Sequence, residues 1–171
     1  MIKVDLSKCT GCRRCETHCA FYHTGKVNNY LARIKVINLY EIGVDSPVVC
    51  QQCSERYCMK CTNNALTIGS LGQIIVSPTN CNLCGLCESS CPIGAIEIFN
   101  DIVYVCDLCG GAPKCIEVCT EGALTLTTKS ESVSFAEIKK KIKGLNSSQK
   151  RHHYTKIKGE ELRKSWRKVD A

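Results

Sequence analysis

The sequence is short of several things on which folded chains usually rely. Aromatic residues make up 6% of it, one Trp, three Phe and six Tyr, and there are only four Pro. Setting the cysteines aside lowers the apolar fraction from 44% to about 35%, a lean supply for a core built by burial alone. No run approaches the roughly 20 apolar residues of a membrane helix, so no spanning segment is expected. The opening Met-Ile-Lys-Val-Asp5 has neither the apolar stretch of an export signal nor a twin-arginine pair, which predicts a cytoplasmic chain. There is no Gly-x-Gly-x-x-Gly fingerprint, no phosphate loop and no Ser/His/Asp grouping, so nothing points to nucleotide-dependent or hydrolytic catalysis. With 171 residues there is also no room for a large catalytic domain beside another unit.

Cysteine is what the chain has in excess, 16 in all. In a reducing compartment so many thiols are expected as metal ligands rather than disulfides. They fall into four groups of four: Cys9-x2-Cys12-x2-Cys15-x3-Cys19, Cys50-x2-Cys53-x4-Cys58-x2-Cys61, Cys81-x2-Cys84-x2-Cys87-x3-Cys91-Pro92, and Cys106-x2-Cys109-x5-Cys115-x3-Cys119. The third group matches the bacterial ferredoxin signature in full, and the first matches it except that Ala20 replaces the proline. Thiolates at i, i+3 and i+6 on a tight loop reach three irons of one cubane. The fourth cysteine begins a helical turn facing away and ligates the neighbouring cluster. Gly11, Gly85, Gly110 and Gly111 inside the loops suit close backbone approach.

The surroundings of the cysteines repeat as well. Cys61-Thr-Asn-Asn-Ala65-Leu-Thr-Ile, Cys91-Pro-Ile-Gly-Ala95-Ile-Glu-Ile and Cys119-Thr-Glu-Gly-Ala123-Leu-Thr-Leu each end in alternating apolar residues, which predicts a short strand. β-rich stretches precede the loops at Ile2 to Asp5, Val48-Val49, Ile74 to Val76 and Ile102 to Val105. The expected unit is strand, cysteine loop, helical turn, strand, used four times. Zinc is the competing ligand. It needs two Cys-x2-Cys pairs and no third cysteine at i+6, so groups one and three favour iron–sulfur, and group four is read the same way. Group two, Cys50, Cys53, Cys58 and Cys61, is two such pairs, and fits either a cubane or a zinc or smaller cluster. All-cysteine cubanes leave no open metal position, which predicts a conductor of single electrons and not an enzyme in its own right. His18 and His23 are candidate donors toward cluster sulfur, weighed against solvent-facing roles, and His152-His153 fall in a polar stretch.

Charge divides the chain. Residues 1–128 carry 10 Lys+Arg against 11 Asp+Glu, whereas residues 129–171 carry 13 against 5 and no cysteine. A zinc-stapled nucleic-acid binder would spread basic and aromatic residues among its cysteine groups; here they are slightly acidic, and no nucleic-acid partner is expected. Four cubanes would add about −8 to the first part, so the basic tail is expected to wrap it or to clamp a partner. Ser134-Phe-Ala-Glu137 reads as a capping box, with Phe135, Ile138 and Ile142 on one helical face and Gly144 as a stop. Leu162 and Trp166, among Arg163, Lys164 and Arg167, suit an interface anchor.

These residues resemble the four-cluster ferredoxin-like subunits of anaerobic molybdenum and tungsten oxidoreductases over about residues 1–128. Lys-Val-Asp-Leu-Ser-Lys-Cys9-Thr-Gly-Cys12-Arg-Arg-Cys15-Glu, with His23-Thr-Gly25, Asn28 and Ala32-Arg33-Ile34, is similar to small subunits of tungsten enzymes of the aldehyde oxidoreductase type, including tungsten-dependent benzoyl-CoA reductase. The resemblance implies an α+β fold of two ferredoxin-like lobes with nested, pseudo-twofold cluster binding: residues 1–46 with 100–128, then 47–99, followed by a basic, partly helical extension over 129–171. It implies [4Fe-4S] clusters on Cys9, Cys12, Cys15 and Cys119; on Cys106, Cys109, Cys115 and Cys19; on Cys81, Cys84, Cys87 and Cys61; and on Cys50, Cys53, Cys58 and Cys91. If group two closed on zinc, three clusters would remain. The implied partners are a large tungsten or molybdenum catalytic subunit and a ferredoxin or further redox subunit. A free-standing polyferredoxin serving several enzymes is the alternative.

Overall fold

The computed structural model describes residues 1–127 and 135–167. It is a mixed fold of small antiparallel pairs and helices. The strands are β1 (Ile2–Val4), β2 (Lys35–Leu39), β3 (Val44–Val48), β4 (Leu66–Ile68), β5 (Ile74–Val76), β6 (Glu97–Phe99), β7 (Ile102–Tyr104) and β8 (Leu124–Leu126). They pair β1 with β8, β2 with β3, β4 with β5 and β6 with β7. Such short pairs are marginal by themselves. One buried cluster holds them together, in which Ile2, Ala20, Ile34, Val49, Ile74, Ile96 and Leu124 pack with the inner cysteines.

Two pairings repeat one another. Ile2 faces Leu126 in β1 and β8, and Leu66 faces Val76 in β4 and β5. The bond that continues the first pair, Asp5 N–H to Ala123 O at 2.8 Å, has a twin in Ser77 N–H to Ala65 O at 2.8 Å. The strands expected after Cys61, Cys91 and Cys119 and before the loops are present. β2 is an addition that alternation had not signalled. Its hairpin with β3 places Pro47 opposite Val36. That pair points its N–H groups away from the ladder, so the missing proline donor costs no rung. The Val36 N–H is taken instead by Glu16 Oε1 at 2.7 Å. Of the expected lobe limits, 46/47 cuts β3 and 99/100 cuts the β6–β7 hairpin. Residues assigned to different lobes therefore share the same hairpins.

Helix α1 (Arg14–Thr24) carries Cys15 and Cys19 and runs well past the short turn expected there. It stops where Gly25, at φ 68°, bonds back to Phe21 O at 2.7 Å, a left-handed cap that favours glycine. α2 (Leu86–Ser90) and α3 (Lys114–Glu117) are the single turns that follow the third and fourth loops. α4 (Ala136–Lys141) buries Phe135 and Ile142 at its two ends. Ser134, the expected cap, lies outside the described residues. α5 (Ser147–Arg167) packs across β2 and β3. Its buried side is polar and close-fitting rather than greasy: Ser147, Lys150, Arg151, Thr155 and Gly159. Among the described residues no helix is long and apolar enough to cross a membrane.

Candidate metal centres

The loop of group one turns at Gly11, φ 68°, where a Cβ would lie 2.6 Å from Asn38 Nδ2 and 2.6 Å from Asp45 Cγ. Only glycine lets this loop lie so flat on the β2–β3 hairpin. The cavity beneath it is walled by Cys9, Cys12 and Cys15, and also by Cys119 from the far end of the cysteine region. The β1–β8 pair makes that meeting possible, because it returns the segment after Cys119 to the strand before Cys9. A second cavity is walled by Cys81, Cys84 and Cys87 and by Cys61 of group two, with Leu66, Leu83, Ile98 and Val103 around them.

The other two gatherings are deeper. Cys50, Cys58, Cys91, Cys106, Cys115 and Cys19 are all buried. Burial pushes the Cys58 thiol up to about 12, and the nearby sulfurs of Cys50, Cys91 and Cys53 add to it. Cys50 is likewise raised to about 12, chiefly by burial and then by Cys91 and Cys53. Cys115 is raised to about 12 by burial and by Cys19 and Cys109. Cys106 is raised by burial, and it feels Cys50 on one side and Cys115 and Cys19 on the other. The structure thus brings Cys50, Cys53 and Cys58 to Cys91, and Cys106, Cys109 and Cys115 to Cys19. Cys12 and Cys84, from the two outer cavities, are exposed.

Sulfurs gathered this closely would repel one another as thiolates, and burial penalises each charge further. A cationic iron–sulfide core offsets about half of that charge and binds the sulfurs together, and four soft sulfur donors per gathering are the donor set it requires. The backbone is arranged for anionic sulfur as well. Cys19 Sγ accepts the Arg33 N–H at 3.2 Å, Cys61 Sγ the Ala65 N–H at 3.4 Å, and Cys91 Sγ the Ala95 N–H at 3.2 Å. The residues fit such clusters.

Several supporting residues escaped the reading of the sequence. Glu16 follows Cys15 and Glu88 follows Cys87. Glu16 is 2% exposed and binds Val36, holding the β2–β3 hairpin; Glu88 accepts the Ser147 hydroxyl at 2.9 Å, holding α5. The repeat of Cys-Glu in two cysteine groups was the available signal. Lys150 Nζ donates to the carbonyls of Glu88 (3.1 Å) and Ser89 (2.7 Å), closing the end of α2. Arg151 donates to Gly94 O at 3.0 Å and pairs with Glu97 at 3.1 Å. Of the two histidine candidates, His18 is exposed, whereas His23 Nε2 lies 3.6 Å from Cys109 Sγ. Asp107 is the link between them. Burial pulls its carboxyl upward, but Arg33 at 2.5 Å and the Cys109 N–H outweigh burial and hold it below its usual value.

The fold and its sulfur gatherings define an iron–sulfur electron carrier. Two stretches, residues 1–24 and 74–97, match the 4Fe-4S binding domain family. The polyferredoxin-like subunit of aliphatic sulfonate oxidoreductase from Pyrococcus furiosus is 38% identical over 124 residues, covering 70% of this chain and 71% of that protein. The putative electron transport protein YsaA of Escherichia coli is 33% identical, covering 72% of this chain and 86% of its own length. Electron transport protein HydN of the same organism is 29% identical, with 72% and 85% covered. Among solved structures, the active site complex BamBC of benzoyl coenzyme A reductase is 28% identical, covers 74% of this chain and 75% of that one, and has a TM-score of 0.46. The chain belongs to the polyferredoxin-like electron-transfer subunits of oxidoreductases. It carries multiple [4Fe-4S] clusters and transfers electrons within an oxidoreductase complex, without being the catalytic subunit.

Proposed function

We propose that the sixteen cysteines hold four [4Fe-4S] clusters in the nested arrangement, and that the chain joins a tungsten or molybdenum catalytic subunit to a ferredoxin or other redox partner. The observation that carries the ligand assignment is the exchange of the last cysteines. Cys119 shares a cavity with Cys9, Cys12 and Cys15, and Cys61 shares one with Cys81, Cys84 and Cys87. Cys91 is then the sulfur that completes Cys50, Cys53 and Cys58, so group two needs no zinc. A two-lobe division at residues 1–46 with 100–128 and residues 47–99 is supported by the twin bonds Asp5 to Ala123 and Ser77 to Ala65, with β3 and the β6–β7 hairpin shared across the division. The described part of the basic extension, residues 135–167, touches both lobes: Ser147, Lys150 and Arg151 bond to the 88–97 stretch of the second, and α5 also packs on β2 of the first and on the shared β3.

The clusters, when bound, supply reversible one-electron chemistry. The chain supplies the spacing and the insulation. Cys15 lies near Cys115, and Cys106 near Cys50, so the four gatherings follow one another as first, fourth, second, third. The inner ones are buried among Val49, Val105 and Ile96, which excludes water and lowers the local dielectric. The outer ones expose Cys12 and Cys84, suiting an entry and an exit for charge. The partner is argued from the resemblance to tungsten-enzyme small subunits and from the relative named as a subunit of aliphatic sulfonate oxidoreductase.

Anaerobic purification from the native host tests both parts. About 16 irons and no zinc per chain are expected, together with a co-purifying large subunit that contains tungsten or molybdenum. One zinc with about 12 irons would overturn the assignment of group two. A chain that elutes alone, with its full iron content, would favour the free-standing polyferredoxin.

A further inference from the structure

His23 occupies a position that breaks the internal repeat. Four residues after the last cysteine of each group, the other three groups have alanine: Ala65, Ala95 and Ala123. At Ala65 and Ala95 the backbone N–H turns back to the sulfur of Cys61 and Cys91. In group one α1 continues through this position, and Cys19 Sγ receives its N–H from Arg33 instead. The side chain placed there by the longer helix reaches another sulfur. His23 Nε2 lies 3.6 Å from Cys109 Sγ and 3.5 Å from Asp107 Oδ1. The ring is largely enclosed. Its side chain is 10% exposed, and Tyr22 meets it edge-on at 5.0 Å. Asp107 is itself fixed, with Oδ1 accepting the Cys109 N–H at 3.0 Å and Oδ2 accepting from Arg33. Arg33 offsets the carboxylate's charge, so what Asp107 contributes beside the ring is orientation.

We propose that His23 is a tuning residue whose Nε2–H donates to Cys109 Sγ, making the centre on Cys106, Cys109, Cys115 and Cys19 easier to reduce than it would be without that bond. A donor to a ligating sulfur draws off charge and favours the reduced, more negative state. The longer helix and the histidine thereby single out one of four otherwise similar centres. The inference rests on the ligand assignment above, and the experiment separates the two.

The test is redox-titrated EPR on the anaerobically purified holoprotein, comparing His23→Leu and His23→Gln. In His23→Leu one centre is expected to shift to lower midpoint potential while the others stay in place. In His23→Gln, whose amide can still donate, that centre is expected to return toward the wild-type value. Four unmoved centres in His23→Leu, or a common shift of all of them, would overturn the proposal. If His23→Leu fails to load iron, wild-type protein labelled with 15N-histidine decides: a weak nitrogen coupling at one reduced centre supports the bond, and its absence from every centre refutes it. A Cys109→Ser variant that keeps all four centres unaltered would instead overturn the ligand assignment.

Discussion

Gly94→Ala is the most exacting perturbation of the contact between α5 and the third cysteine loop. Gly94 sits at φ 66°, and a Cβ there would lie 2.2 Å from the Ser147 carbonyl oxygen and 3.2 Å from Arg151 Cγ. Ordinary contact needs about 1 Å more, and the obstacle is backbone at the first residue of α5, which cannot rotate aside. A left-handed alanine costs roughly 1 kcal/mol, and the forced displacement about 1–3 kcal/mol. Moving α5 away also stretches the bonds from Arg151 to Gly94 O and from Ser147 Oγ to Ile96 O, 3.0 and 3.1 Å. The strain stays whether or not α5 is seated, so the displacement alone, about 1–3 kcal/mol, reaches the opening equilibrium of α5, roughly 5- to 150-fold. Hydrogen exchange of the α5 amides in the anaerobic holoprotein reads this directly. Gly122→Ala is the control: its φ is 63° with nothing within 4 Å, so it has the same strain, no clash, and an unaltered α5. Exchange in Gly94→Ala within threefold of wild type would show that α5 does not seat on Gly94.

Other expected outcomes follow from the same contacts. Lys150→Met removes the side-chain donor of the Ser89 carbonyl and one of two donors of the Glu88 carbonyl, which keeps the Cys91 N–H; a loss of about 1–3 kcal/mol appears as faster α5 exchange, and unchanged exchange would count against the contact. Tyr154 is raised to about 12 by burial and by Glu161, so its neutral form stabilises α5 fully below pH 10 and that contribution is lost as the pH rises through about 12. Tyr154→Phe should abolish that alkaline component, worth at most about 3 kcal/mol, and a wild-type alkaline profile in the variant would refute it. Cys119→Ser and Cys9→Ser should perturb the same EPR centre, because their sulfurs share one cavity; effects on two different centres would break the nested assignment. Gly11→Ala should weaken the first centre selectively, since its Cβ has no room beside Asn38 and Asp45, and equal iron retention with wild type would argue against that packing.

Much of the centre could be read in the chain because its encoding is local. Cys81, Cys84 and Cys87 sit three residues apart on one loop, and Leu124 and Leu126 alternate with Thr125 as a strand must. The recurrence of Ala65, Ala95 and Ala123 after the last cysteines exposed the repeat. The β2 strand was hidden because its hairpin is half polar, with Asn38 and Asp45 turned toward Gly11 and Lys35 bonded to the carbonyls of Asn29 and Tyr30. α5 was read only in part: Leu162 and Trp166 drew attention, yet Trp166 is 41% exposed. The side that packs uses Ser147, Lys150, Arg151 and Gly159, residues that resemble a solvated face until a carbonyl or a close backbone is placed opposite them. The repeat marks His23 as standing where the other groups have alanine, but only the pitch of α1 decides that it, and not His18, points at Cys109.

The sequence by itself determined that sulfur would organise this protein, how many loops would present it, and which three thiols of a loop would act together, since those follow from spacing along a few bonds. Tertiary structure alone decided which distant cysteine meets each trio, where the basic tail lands, and which histidine faces a sulfur. Those meetings depend on pairings such as Ile2 with Leu126, made between segments at opposite ends of the cysteine region, and no local pattern carries the direction in which a chain returns.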